Sequence, residues 1–127
     1  MKVIRVKELQ KVTPKKHHNM FTLRAVDDSI GAKTMKVSFG RFEPKGVVEA
    51  HKHENEEQVY IVLKGVMIVK NEEGQEVRAH EGEALFIYPG ELHSASAESE
   101  GTDYICITGL NLPSGGSKVP EKKWTKG

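Results

Sequence analysis

Two histidines, His51 and His53, stand one residue apart in the stretch "HKHENEEQVYIVLKG" (51–65), and a third, His93, closes the run "GEALFIYPGELH". In an extended chain, residues i and i+2 project to the same side, so His51 and His53 converge on one point. The turn implied by Pro89 and Gly90 swings His93 back towards that pair. Neutral imidazoles gathered in this way are ligands for a divalent transition metal. The acid-rich segment that follows offers two candidates for a fourth donor, Glu57 and Gln58. Strand parity counted from His53 selects Glu57. Imidazole with oxygen donors suits Mn, Fe, Ni, Cu or Zn, so one such ion is expected and its identity stays open.

The elements that must carry these residues are strands. Helical periodicity is scarce, while β-branched and aromatic runs recur between turn residues, which is the pattern of an all-β sandwich or barrel. Strands are expected near "KVIRV", "FTLRAV", "TMKVSFGRF", "GVVEAHKH", "EQVYIVLK", "GVMIVK", "EVRAH", "EALFIY", "HSASA" and "DYICITGL". The segment "NEEGQ" (71–75) reads as a hairpin turn. A barrel of this size must fill its interior, which assigns Phe39, Phe42, Met67, Phe86 and Tyr104 to the core.

Length and composition set the bounds. A chain of 127 residues is one ordinary domain, so 1–127 is read as a single unit. The formal charge of +1 offers no field to attract nucleic acid or an anionic membrane, so the expected partner is a small molecule. The only cysteine, Cys106, has no disulfide partner within the chain, and "MKVIRVKELQKV" has no apolar run of the signal-peptide or membrane-span kind. A cytoplasmic location is the expectation. The Pro-, Gly- and Lys-rich stretch 113–127 reads as an arm, with Trp124 as its anchor. The unpaired "KVIRV" edge and this arm suggest a homodimer.

Residues 46–97 resemble the cupins, whose first motif is a glycine, two histidines one residue apart, an acid, and a closing glycine, and whose second ends on a histidine after a Pro-x-Gly turn. Here they read "GVVEAHKHENEEQVYIVLKG" (46–65) and "GEALFIYPGELHSASA" (82–97), with a short segment between. Some framework positions depart from the family pattern. Gly46 is one residue nearer His51 than the pattern has it, Tyr88 replaces the first proline, and Ala97 replaces an asparagine. The resemblance implies a double-stranded β-helix (jelly-roll) barrel with a divalent metal in its mouth, held by His51, His53, His93 and one further residue. In the family six residues separate that fourth ligand from the closing glycine, and counting back from Gly65 reaches Gln58 rather than Glu57. Glutamine at this position occurs in some small cupins, including oxalate-binding ones and pectin-pathway enzymes that open an unsaturated uronate ring.

Three imidazoles and an amide leave the ion's charge unneutralised, so the expected ligand is a small anion. Two function classes follow. One is a metal-dependent enzyme on a small carboxylate or keto acid, decarboxylase-, dioxygenase- or isomerase-like. The other is a non-catalytic sensor or ligand-binding module. Apart from Glu57, the sequence displays no acid or base in a fixed relation to the site, and no helix-turn-helix. His17 and His18 in "PKKHHNM", together with His80, Glu54 and Glu56, read as solvated surface; Cys106 reads as packing. Tyr60 shares the parity of Gln58 and is expected to point inward.

Overall fold

The computed structural model describes residues 1–110, so the expected arm at 113–127 lies outside the described residues. Six strands form one antiparallel sheet: β1 (His17–Val26), β2 (Met35–His51), β3 (Glu56–Asn71), β4 (Glu76–His80), β5 (Ala84–Ile87) and β6 (His93–Leu110). The order is β1-β2-β6-β3-β4, with β5 pairing β3 as well. Two short 3-10 turns, Val6–Glu8 and Asp28–Ile30, complete the regular structure. This is the jelly-roll fold that the strand pattern and the motifs predict.

The ten expected strands are fewer and longer, because several pairs of runs are single strands that bend. "TMKVSFGRF" and "GVVEAHKH" both fall in β2, "EQVYIVLK" and "GVMIVK" in β3, and "HSASA" and "DYICITGL" in β6. The register shifts between Phe42 and Val47, and again around Val62 to Met67, so each long strand turns a corner through a bulge and serves both walls. The corner on β3 needs glycine. Gly65 adopts φ +86°, and a Cβ there would lie 2.4 Å from the carbonyl oxygen of Gly101 on β6. Residues 2–6, expected as a strand, form none: they lead directly into the first 3-10 turn, and Val3 is exposed. The edge-strand argument for a homodimer thereby loses its footing at "KVIRV".

The hairpin at 71–75 is built by Asn71, whose Oδ1 accepts the backbone N–H groups of Glu73 (3.0 Å) and Gln75 (2.9 Å). Inside the barrel, Phe42, Met67 and Tyr104 are buried, together with Val48 and Val62. Phe39 is only half-buried, and Phe86 is 46% exposed, its ring set edge-on to Tyr88 on the outer surface. Position 86 points out because β5 pairs with β3 so that Ile87 carries the inward parity.

The inward rows decide what lines the cavity. One row runs Thr22–Gly40–Tyr104–Val62 across β1, β2, β6 and β3; the next runs Arg24–Ser38–Cys106–Tyr60, and the third Lys36–Thr108–Gln58. Gly40 makes room for the Tyr104 ring, which would lie 2.2 Å from an added Cβ. Phe42 stacks on that ring at 5.2 Å and Tyr60 meets it edge-on at 5.5 Å, so it cannot swing aside. Gly40→Ala is expected to destabilise the fold by about 1–3 kcal/mol through overpacking. A chemical-denaturation midpoint equal to that of the wild type would show that the ring has freedom this packing denies it.

Candidate metal centre

His51 ends β2 and His93 opens β6, and the two are directly paired across the strands. After His51 the chain leaves the strand, passes through Lys52 and His53, and turns at Glu54–Asn55 before β3 begins at Glu56. The turn after β5 is tied to this segment, because the Gly90 N–H donates to the His53 carbonyl at 2.8 Å. That bond joins the two histidine-bearing stretches and brings the third imidazole to the first pair. Ring centroids are 4.4 Å apart for His51 and His93, 4.9 Å for His51 and His53, and 6.1 Å for His53 and His93. One nitrogen from each ring lies within 4.8 Å of those of the other two.

The hydrogen bonds fix which nitrogen faces inward. His51 Nδ1 lies 2.9 Å from the Glu49 carbonyl and His93 Nδ1 lies 2.9 Å from the Glu91 carbonyl, so in each ring Nδ1–H donates and Nε2 keeps its lone pair. His53 Nδ1 faces the Glu56 carboxylate at 3.3 Å. Burial lowers the pKa of His53 and of His93, and the neighbouring imidazoles lower both further. The rings of His53 and His93 are therefore biased towards the neutral form, the form in which imidazole binds a metal.

Gln58 lines the same cavity as His51 and His53, whereas Glu57 is exposed and lies against Gly109 on the opposite side of β3. The turn at Glu54–Asn55 breaks the parity that would have carried inward facing from His53 to residue 57. Gln58 Nε2 donates to Thr108 Oγ1 at 3.1 Å, which turns the amide oxygen away from that partner. Two buried side-chain atoms lack a hydrogen-bond partner among the described residues: Gln58 Oε1 and His93 Nε2. A buried acceptor without a donor is unfavourable by about 1–3 kcal/mol, and a bound cation removes that penalty. The donor set fits a divalent transition metal on this ground.

Several cavity residues escaped the sequence reading. His17 and Glu56, read as surface, both line the cavity. His17 belongs to β1, its ring centroid lies 6.3 Å from that of His51, and its Nδ1 donates to the Lys15 carbonyl at 2.7 Å. The signal available was the i+2 alternation His17-Asn19, but Asn19 takes φ +52° and a register shift follows, so alternation misleads there. Glu56 is held between Lys36 (3.4 Å) and His53. Cys106 also lines the cavity, and burial pushes its thiol up to about 11, which removes it as a nucleophile at neutral pH. His18 and His80 are exposed, each beside a carboxylate, Glu49 and Glu83 respectively. Tyr60 is buried with its ring on the cavity wall.

The cavity has a volume of about 410 Å³. Its lining carries four cations, Lys15, Lys16, Arg24 and Lys36, against the single carboxylate of Glu56. A chain of formal charge +1 thus concentrates positive charge at one opening.

The cupin-domain family model matches residues 38–108, more than half of the chain, including His51, His53 and His93. The chain belongs to the cupin family. This cupin is 41% identical over 64 residues to an uncharacterized HTH-type transcriptional regulator, YdeC, of Bacillus subtilis (strain 168), a match that covers 49% of this chain and 21% of that protein. The chain therefore spans about a fifth of that relative's length. Among solved structures, the polyketide cyclase RemF from Streptomyces resistomycificus superposes with a TM-score of 0.77 at 22% identity, covering 88% of this cupin and 80% of RemF. A predicted oxalate decarboxylase from Thermotoga maritima gives a TM-score of 0.74 at 20% identity, covering 86% of this cupin and 99% of that chain. At these identities the likeness is one of fold. No helix among the described residues is long and apolar enough to cross a membrane.

The depressed histidines give the metal-free protein a pH dependence. On unfolding, His53 and His93 return to the ordinary value of 6.5, so below that pH the unfolded chain binds more protons than the folded one. Stability is then full above pH 6.5 and declines as the pH falls through that value towards the folded-state pKa values. The metal-free protein is expected to melt at a lower temperature at pH 5.5 than at pH 7.5, and a flat profile over this interval would contradict the depressed pKa values of His53 and His93.

Proposed function

We propose that this cupin binds one divalent transition ion through His51, His53, His93 and Gln58, and uses it to act on a small carboxylate or keto acid. The observation that carries the reading is the pair of orphaned acceptors, Gln58 Oε1 and His93 Nε2, the latter clustered with the imidazoles of His51 and His53. When bound, the ion supplies Lewis acidity and an attachment point for an anionic oxygen. The protein's own groups do the rest. Carbonyls of Glu49 and Glu91 hold two ring tautomers, Thr108 orients the amide, and Tyr60 with Tyr104 forms a wall that excludes water from the cavity floor. Glu56, beside His53, is the carboxylate placed to accept or return a proton in a decarboxylase-, dioxygenase- or isomerase-like reaction.

A second reading is supported by the transcriptional regulator of Bacillus subtilis, which is 41% identical to this chain over 64 residues. On that reading the cavity senses a small anion without turning it over. Metal-loaded protein tested against a panel of carboxylates and keto acids separates the two: binding without turnover favours the sensor.

Elemental analysis of purified protein is expected to find about one transition metal per chain, the complement of a site with these donors. No metal, with no uptake on titration, would defeat both readings. Gln58→Glu should keep the metal, because a carboxylate of the same shape is a competent oxygen ligand. It also adds a negative charge beside the ion, so oxalate should bind more weakly by about 1–3 kcal/mol. Glu57→Gln, altering an exposed side chain on the other face, should leave oxalate affinity close to that of the wild type. Calorimetric titration that found the large effect in the Glu57 variant instead would assign the fourth ligand to Glu57.

A further inference from the structure

The β1 wall of the cavity carries a cation that makes no ion pair among the described residues. Arg24 lines the cavity from β1, and no carboxylate lies within ion-pair range, 4.0 Å, among the described residues. Lys36, its neighbour on the wall, is already engaged with Glu56. The nearest acid in sequence, Asp27, directs its Oδ1 to the Ser29 backbone N–H at 3.0 Å and to the Ser29 hydroxyl. Arg24 is paired in register with Ser38, whose hydroxyl lines the same space.

Position adds a length requirement. Arg24 is on β1 and Gln58 on β3, with β2 and β6 between them. Three inter-strand steps correspond to roughly 14 Å measured along the curved sheet. Tyr60, Tyr104 and Cys106 line the stretch between. Beyond Arg24 the space continues: Arg24, Lys36 and Ser38 also line an adjoining cavity of about 630 Å³, whose wall includes Lys33 and the acids Asp27 and Asp28.

We propose that the ligand of this cupin is an elongated dianion, one end chelated at the His51–His53–His93–Gln58 site and the other, a carboxylate several bonds away, held by the Arg24 guanidinium with the Ser38 hydroxyl. The inference rests on the metal reading above and names the substrate class for the same site. The guanidinium fork matches a carboxylate bidentately, and a fork of this kind left without an acid on a cavity wall is a receptor for one. Oxalate, whose two carboxylates are joined directly, reaches the metal end alone. A longer 2-oxo dicarboxylate reaches both ends.

The test uses the full chain loaded with nickel and titrated calorimetrically with pyruvate, oxalate and 2-oxoglutarate. 2-Oxoglutarate should bind the wild type at least about tenfold more tightly than pyruvate, the scale of one charge-assisted bidentate contact. Arg24→Gln, at an exposed side chain with no partner to lose, should bring the two within about twofold while leaving pyruvate affinity nearly unchanged; Arg24→Lys should fall between. Equal binding of 2-oxoglutarate and pyruvate by the wild type, or equal weakening of all three anions in Arg24→Gln, overturns the proposal while leaving the metal reading intact. Failure of the metal reading registers separately, as absent nickel uptake. In that event the subsite is read in metal-free protein with glutarate, which has no chelating oxo group. Glutarate should raise the melting temperature of the wild type and not of Arg24→Gln, and no difference between them overturns the subsite.

Discussion

Three imidazoles crowded within a few ångströms can serve one ion only if each is told which nitrogen keeps its lone pair. The chain solves this locally. His51 and His93 each donate Nδ1–H to the carbonyl two residues upstream, Glu49 and Glu91, and His17 on the neighbouring strand does the same with Lys15. A bond to a carbonyl so close in sequence forms wherever the strand end is formed, so the tautomer is set by backbone geometry and needs no distant partner. What does need distance is convergence. The backbone bond from Gly90 to the His53 carbonyl, and the pairing of His51 with His93, bring together residues far apart in sequence, and the bent strands β2, β3 and β6 exist as continuous elements to make those contacts possible.

The same constraint explains the distribution of polarity in the barrel. The lower interior is filled by Phe42, Met67, Val48 and Val62 and is closed to water. The polar atoms begin where the inward rows reach Ser38, Cys106, Thr108 and Gln58. Thr108 stands between the two regimes. It is buried, it accepts the Gln58 amide N–H, and it leaves the amide oxygen as the acceptor without a donor. A barrel that filled these positions with aliphatic side chains would be simpler to fold; among the described residues the buried acceptors left without a donor are one on Gln58 and one on His93, two of the residues that the metal reading requires.

Much of this was legible in the sequence, for reasons that can be named. His51 and His53 could be read because short-range alternation survives up to the end of a strand, and His93 because a Pro-Gly turn before a histidine has few ways to point. The side of Gln58 was legible only by counting back from Gly65, since alternation counted forward from His53 is reset by the turn at Glu54–Asn55. His17 was not legible. It precedes Asn19, whose positive φ and accompanying register shift break the alternation, and its place beside His51 depends on β1 pairing with β2, a contact no local pattern encodes. Phe86 failed in the other direction: aromatic identity argues for the core, but strand pairing assigned the inward parity to Ile87 and left the larger ring outside.

Charge is the property least visible along the chain and most visible in the fold. Lys15, Lys16, Arg24 and Lys36 are spread over two strands and a loop and are individually unremarkable in a sequence whose charges nearly cancel. Folding gathers them around one opening and places most of the acids elsewhere, on outward faces and turns such as Glu72, Glu73 and Glu81. Glu56 is the exception, and it is held between Lys36 and His53. An anion approaching this opening meets a favourable field, which screening at physiological ionic strength confines to about 8 Å, so the effect is local to the opening. On the proposed metal reading, the cationic wall and the donor set would act in the same direction: the wall would raise the local concentration of anions, and a ligand set without a carboxylate would leave the ion's charge available to hold one.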